Sequence, residues 1–153
     1  MTNQKVYLPV VSLLLAGSVF AQEKKIERSE LPAAVEKTVA EQSKGATIRA
    51  LSKETENGQT TYEAEMLLNA HTKDVQIDAN GTVIEIEEQV DWKDLPSAVR
   101  AGLQAKAGKG KIAKTESITK KEKLVAYEAH VMTDGTKSEV QVGPGGKPLH
   151  HEE

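Results

Sequence analysis

The feature that most constrains the fold of this chain is an internal similarity at an offset of 64 to 65 residues. Two matches carry it most clearly: Leu31-Pro32-Ala33-Ala34-Val35 returns as Leu95-Pro96-Ser97-Ala98-Val99, and Tyr62-Glu63-Ala64 returns as Tyr127-Glu128-Ala129. Val75-Gln76-Ile77 likewise returns as Val140-Gln141-Val142. A fixed period of this length is typical of one structural unit used twice. We therefore expect two tandem repeats.

Each half of the chain has the pattern of one helix followed by strands. Each half has a proline at a position where the first turn of a helix tolerates one. Apolar residues recur around it at intervals of four, as in Leu31, Val35 and Val39. Apolar and polar residues then alternate with a period of two, which predicts strands over residues 47–55 and 111–119 and around Tyr62 and Tyr127. The predicted fold class is α+β: two tandem repeats, each one helix followed by a three- to four-stranded antiparallel meander, with the helices packed on one face of the sheet.

Turn residues refine this interpretation. Asn57-Gly58 predicts a type I′ hairpin, because both central residues of that turn need a positive φ. The corresponding position in the second half holds Lys121-Glu122, so we expect a turn of another type there. Tyr62 and Tyr127 should face the helices together with their apolar neighbours, leaving the opposite sheet face to polar side chains.

The first 21 residues have the features of a secretory signal. Lys5 is their one charged residue, residues 6–19 are mostly apolar, and Val19-Phe20-Ala21 suits signal peptidase cleavage after Ala21. An apolar run of about 14 residues is shorter than the roughly 20 that span a bilayer, so we expect no stable membrane insertion after cleavage. The expected organisation is a signal peptide at 1–21, an exposed lead-in at 22–30, a first repeat at 31–88, a linker at 89–94 and a second repeat at 95–151. The predicted location is the periplasm or the outside of the cell.

Composition excludes several functions. Removing the signal leaves 132 residues and changes the formal net charge from −3 to −4, which disfavours nucleic acid as a partner. The chain has no cysteine and therefore no disulfide or thiol nucleophile. No nucleophile-elbow pattern occurs, and Asp78-Ala79-Asn80-Gly81 places its glycine wrongly for an EF-hand. We therefore predict no enzyme, no cofactor and no metal site; the His150-His151 tail could chelate a divalent metal weakly, and we interpret it as adventitious.

The candidate functional surface is the polar face of the sheet. Its expected members are the outward residues of the two tyrosine strands and one aromatic residue, and together they form an acidic set with an apolar end: Glu63, Glu65, Leu67, Trp92, Glu128, His130 and Met132. Outward apolar residues beside charges suit a partner-binding surface, but they are also normal on any soluble protein. Trp92 either anchors a partner or packs the joint between the two units.

The leucine-proline helix opening, the tyrosine strand and the Val75-Gln76-Ile77-Asp78 strand with its Asn80-Gly81 turn resemble the PepSY-like domains. The tandem arrangement is similar to the β-lactamase-inhibitor-like members of that group, and the resemblance covers residues 26–150. The second half departs from the pattern, with Gly143-Pro144-Gly145 in place of the Asp-x-Asn. The resemblance implies a secreted or periplasmic module that binds a protein, with peptidases and envelope enzymes as candidate targets.

The predicted function is therefore non-enzymatic protein binding through the open sheet face, by occlusion or scaffolding. The alternative is an envelope sensor or carrier of a small ligand or divalent cation, suggested by His130 beside the acidic set and by the His-Glu tail. The oligomeric state stays open, because an exposed edge strand could pair two molecules.

Overall fold

The computed structural model describes residues 23–151 and Glu153, and this part of the chain contains eight β-strands and two α-helices. The first five strands are β1 (Lys24–Lys25), β2 (Thr47–Glu56), β3 (Gln59–Leu68), β4 (His71–Asp78) and β5 (Val83–Gln89), and helix α1 (Ala33–Gln42) lies between β1 and β2. Helix α2 (Ser97–Ala107) precedes β6 (Lys111–Lys120), β7 (Lys123–Thr133) and β8 (Thr136–Val142). Short 3-10 turns at Arg28–Glu30 and Trp92–Asp94 lead into the two helices.

All eight strands belong to one antiparallel sheet whose strand order follows the chain from β1 to β8. The expectation of two tandem repeats, each with its own meander of three or four strands, is therefore wrong. β5 pairs directly with β6, from Glu85 opposite Lys120 to Gln89 opposite Glu116. An unpaired edge on β5 would leave a row of backbone donors and acceptors without partners. The backbone of β6 provides those partners. The result is one continuous sheet with two helices.

Both helices lie on the same face of this sheet. The register carries that face from Val75 on β4 to Ile86 on β5, and the same face continues across β6 to Ala129 on β7. Helix α1 covers a buried apolar cluster of Ile26, Val35, Val39, Leu51, Ala64, Met66, Val75 and Ile77. Helix α2 covers a second cluster of Leu95, Val99, Leu103, Ala129, Val131 and Val142. Tyr62 and Tyr127 pack against these clusters, which confirms their expected orientation.

The two-residue hairpins test the turn predictions. Asn57 and Gly58 have φ values of 50° and 77°, as the type I′ prediction requires. Lys121 and Glu122 also have positive φ values, 49° and 62°, so the expectation of another turn type is wrong. Lys120 pairs with Lys123 across this turn, and a two-residue connection between twisted strands favours the same backbone whatever its side chains.

A glycine fixes the position of helix α1 on the sheet. Gly81 has a φ of 86°, and a Cβ atom built on it would lie 2.6 Å from the carbonyl oxygen of Ala34. The hydroxyl of Thr38 donates a 2.6 Å hydrogen bond to the Gly81 carbonyl. The turn after β4 therefore contacts the helix backbone directly, and only glycine permits this approach.

The segment expected as an exposed lead-in contributes to the sheet. Lys24 and Lys25 pair with Lys53 and Ser52, and Ile26 is buried in the cluster beneath α1. The expected signal peptide at 1–21 lies outside the described residues. Neither helix in the described part of the chain combines the length and apolar character of a bilayer span.

Candidate functional site

The sheet face opposite the helices is lined with charged side chains, and we call it the open face. Its residues alternate with core residues along each strand, so the period of two places them away from the helices. The open face includes Glu63, Glu65 and Leu67 on β3, Asp74 on β4, Glu85 and Glu87 on β5, Lys114, Glu116, Ile118 and Lys120 on β6, Ala126, Glu128, His130 and Met132 on β7, and Glu139 and Gln141 on β8. Carboxylates dominate its centre.

The structure separates the predicted site residues into two groups. Glu63, Glu65 and Leu67 lie on β3, whereas Glu128, His130 and Met132 lie on β7, with β4, β5 and β6 between them. At about 4.8 Å per strand, the two groups are roughly 19 Å apart. Glu128 and His130 do meet, with 3.5 Å between Oε1 and Nε2.

Residues that the sequence analysis missed connect the two groups. Asp74 lies opposite Glu65 on one side and Glu87 on the other, and Glu116 lies opposite Glu128. These residues alternate with buried neighbours such as Val75, and this alternation was a sequence signal that could have identified them. It could assign them to the outward face but could not show that β5 and β6 are adjacent.

Glu116 is the centre of the open face. Its side chain accepts from two cations: Lys114 Nζ lies 2.7 Å from Oε1, and His130 Nε2 lies 2.5 Å from Oε2. Glu116 is only 1% exposed. Burial acts to raise its pKa, but the hydrogen bonds from His130 and Lys114 outweigh burial and lower it. Glu116 is therefore an ionised, fully paired group.

His130 is surrounded by acidic side chains. In addition to Glu116, its Nε2 lies 3.5 Å from Glu128 and its Nδ1 lies 3.4 Å from Glu139. Burial acts to lower the pKa of the imidazole, but Glu116 and the neighbouring carboxylates raise it overall. The arrangement stabilises an imidazolium and does not resemble one that activates a hydroxyl nucleophile.

Other carboxylates on this face have raised pKa values. Burial is the largest cause in each case, and it raises the pKa of Asp74 to about 6 and of Glu63 and Glu128 to about 7. The pKa of Glu87 is raised to about 9, first by burial and then by a hydrogen bond in which its protonated carboxyl group donates to Glu85. The net charge of the open face consequently changes across the neutral pH range.

The same carboxylates provide donor sets of the kind that divalent cations bind. Among the described residues, two triplets have potential ligand atoms within 4.8 Å of one another: Glu116, Glu128 and His130, and Asp74, Glu87 and Glu116. Both triplets use Glu116, whose two oxygens already contact Lys114 and His130. A cation would have to displace Lys114 and, to use the first triplet, would require His130 to lose its proton.

Trp92 lies beside one end of the open face. Within residues 23–151 it is the one large apolar side chain that is exposed, at 38%. It lines a cleft of about 400 Å³ together with Gln89, Val90, Ile112 and Lys114. Next to this cleft, His71 Nε2 lies 3.1 Å from Asp91 Oδ1. Trp92 is thus accessible at the junction of β5, β6 and α2.

Comparison with known proteins identifies the fold. The sequence matches no family model, and no curated protein matches it. A proposed periplasmic protein from Bacteroides eggerthii superposes with a TM-score of 0.63 at 14% identity, over 78% of this chain and 86% of that one. A DUF2874 family protein from Bacteroides ovatus gives a TM-score of 0.60 at 16% identity, over 78% and 84% of the two chains. A BLIP-like protein from Bacteroides fragilis gives 0.57 at 19% identity, over 80% and 85%.

At these identities the likeness concerns the fold. It matches the inhibitor-like part of the expected resemblance, whereas the PepSY part is not shown. None of these three neighbours indicates an enzyme family. The chain therefore has the fold that DUF2874 family proteins share with a BLIP-like protein.

Proposed function

We propose that this protein is a periplasmic, non-enzymatic module that binds a partner protein through its open face. The observation that carries the proposal is the set of ionisable side chains held at low exposure on a face that neither described helix covers. Glu116 and Glu128 are 1% and 3% exposed there. Burying carboxylates costs free energy that an ordinary solvated sheet face would not incur. A surface arranged in this way suits recognition of a complementary partner.

The size and charge of the face favour a protein over a small ligand. The acidic residues extend from β3 to β8, so a matching surface must cover several strands. Leu67 and Met132 supply apolar contacts, and Trp92 supplies an exposed aromatic side chain of the kind that anchors interfaces. A partner with a basic surface fits this face, and an envelope peptidase or another envelope enzyme is the proposed class. Binding would act by occlusion, without turnover.

The periplasmic location is part of the same proposal. It is supported by the expected signal at 1–21 and by the Bacteroides eggerthii neighbour, itself a proposed periplasmic protein. The alternative function, a divalent-cation sensor, fits the site less well. A cation would replace two ion pairs that Glu116 already makes with Lys114 and His130.

The test is crosslinking capture of partners from periplasmic extract with the purified wild type and with Glu65→Lys combined with Leu67→Asp. We expect the double variant to lose most of the captured partner, because it reverses one charge and places another on an apolar contact. The matched control is Glu41→Lys with Ala40→Asp on the exposed side of α1, which makes the same change in net charge.

Equal recovery by the wild type and the open-face variant would reject this face as the binding site. Loss with the α1 control as well would show a general charge effect. Circular dichroism spectra establish that each variant is folded. Repeating the capture in the presence of EDTA tests the alternative, since only a cation-dependent interaction would disappear with the wild type.

A further inference from the structure

Glu153 lies on the open face and contacts residues of two of its strands, β6 and β8. Its backbone N–H donates a 2.8 Å hydrogen bond to Oε1 of Gln141, and its carbonyl oxygen accepts from Nε2 of Gln141 at 3.3 Å. Its side-chain carboxylate lies 3.7 Å from Nζ of Lys120. One glutamate is thus contacted through its backbone amide, its carbonyl group and its charge.

The residues that hold Glu153 form a built site. Gln141 and Glu128 are 4% and 3% exposed, and Oε2 of Glu128 accepts a 2.7 Å hydrogen bond from Nε2 of Gln141. The backbone N–H of Glu153 can only donate, so the amide oxygen of Gln141 faces Glu153 and its nitrogen faces Glu128. The Gln141 oxygen is then available for a backbone N–H, while its nitrogen reaches a backbone carbonyl. This is the pairing that an extended peptide presents.

Two buried apolar residues lie on the sheet between Gln141 and Lys120. Gln141 is on β8 and Lys120 on β6, so a residue that contacts both passes over β7 between them. Ala126 on β7 and Ile118 on β6 are 0% and 1% exposed, although they lie on the face opposite the helices. Lys120 supplies this corner with a positive charge and also pairs with Glu85 at 3.3 Å.

We propose that Gln141, Lys120 and the apolar floor at Ile118 and Ala126 form a recognition site for an extended peptide segment bearing a carboxylate side chain, contributed by the partner protein. The chain's own Glu153 occupies this site until the partner segment displaces it. The proposal deepens the proposed function and rests on it for the nature of the partner. It predicts competition between the tail and any ligand of this corner.

The experiment is calorimetric titration of a synthetic peptide, acetylated Pro-Leu-His-His-Glu-Glu amide, which copies residues 148–153. The proteins are the full-length wild type and Glu153→Pro, which removes both the backbone donor and the side-chain carboxylate. If the tail fills the site about nine-tenths of the time, freeing it raises the apparent affinity about tenfold. We therefore expect saturable one-to-one binding that is about tenfold tighter for Glu153→Pro.

Two further variants in the Glu153→Pro background locate the binding. Gln141→Leu should abolish peptide binding, and Lys120→Glu, at a more exposed position, should weaken it at least severalfold. The matched control is Gln59→Leu in the exposed hairpin between β2 and β3, which should bind like its parent. A peptide with lysine in place of its last glutamate should not bind.

No saturable heat with Glu153→Pro, or equal binding by Gln141→Leu, would overturn the inference. The titration uses no cell extract, so its outcome is independent of the capture experiment. Peptide binding without any captured partner would leave the site intact and reject the proposed function. Capture of a partner through Glu65 and Leu67 without peptide binding would support the proposed function and reject the peptide site.

Discussion

The two faces of the sheet both bury side chains, but with opposite energetic consequences. On the helix face, Val75, Ile77 and Val142 are fully buried among apolar neighbours, and their removal from water is favourable. On the open face, Glu116 and Glu128 are almost as inaccessible, and their desolvation is unfavourable. The helix face therefore specifies the fold, whereas the open face holds groups that stability alone would not select.

The open face offsets this cost unevenly. Glu116 is matched by Lys114 and His130, and its pKa is lowered. Burial raises the pKa of both Glu63 and Asp74, and neighbouring carboxylates raise it further: Asp74 acts on Glu63, and Glu116 acts on Asp74. Part of the face is thus a satisfied ion-pair cluster, and part carries unrelieved acidic repulsion that a basic partner would relieve.

The largest effect on stability should come from truncating a leucine to alanine in the core beneath the helices, and the same truncation on the open face provides the comparison. Leu103→Ala leaves a cavity where the fully buried side chain of this α2 residue packs against the helix face of the sheet, and it should lower the free energy of unfolding by about 2–5 kcal/mol. Leu67→Ala, on the partly exposed open face, should cost about 1 kcal/mol. Urea denaturation of both variants measures the difference. Equal losses would show that the open face is a second core.

A smaller effect should follow from breaking the ion-pair cluster. Glu116→Gln leaves Lys114 and His130 facing a neutral amide and should cost about 1–3 kcal/mol at pH 6. The pKa of Glu116 is lowered from an ordinary value of 4.5 and that of His130 is raised from 6.5. The contribution of Glu116 is lost as pH falls through its folded pKa, and that of His130 is lost as pH rises through its folded pKa. The pair therefore stabilises most fully between these two ordinary values.

Denaturation at pH 6 and an NMR titration of His130 check this prediction. In Glu116→Gln the pKa of His130 should fall, because the hydrogen bond that raises it is weakened. Glu122→Gln, at an exposed turn, is the matched control and should leave both quantities unchanged. An unchanged pKa of His130 in Glu116→Gln would contradict the assigned ion pair.

The smallest effect should come from removing repulsion. The pKa of Glu87 is raised from 4.5 to about 9, so its contribution to stability is present below pH 4.5 and is lost as pH rises towards 9. Glu87→Gln keeps a hydrogen-bond donor for Glu85 and cannot ionise. The variant should match the wild type near pH 4 and be the more stable protein at pH 8. Thermal unfolding at the two pH values tests this, and a constant difference between the proteins would refute it.

Local features were predictable because they depend on neighbouring residues. The proline before each helix and the four-residue spacing of Val35 and Val39 predicted α1, which spans Ala33–Gln42. Strand alternation correctly placed Tyr62 against the core and Glu63 away from it. The type I′ turn predicted at Asn57-Gly58 was correct because these two residues have an intrinsic preference for that backbone. The prediction of another turn type at Lys121-Glu122 was wrong because strand pairing imposed a backbone that those residues do not favour.

The candidate site shows where local reasoning stopped. Glu65 and His130 were identified as outward residues of single strands, but their connection through Asp74, Glu87 and Glu116 depends on which strands are neighbours. The pairing of β5 with β6 is a backbone interaction between segments separated by α2, so no side-chain period encodes it. The contact of Glu153 with Gln141 was equally invisible, because it joins a tail to a strand through a backbone amide.

By itself, the sequence determined the helices, most of the strands and the face on which each side chain lies, because propensity and period act over a few residues. The tertiary structure alone decided that an internal similarity at an offset of 64 to 65 residues builds one continuous sheet. It also decided which carboxylates become neighbours and therefore which pKa values rise or fall. These properties depend on distances between strands, which are set only when backbone edges pair and burial removes water from the charges between them.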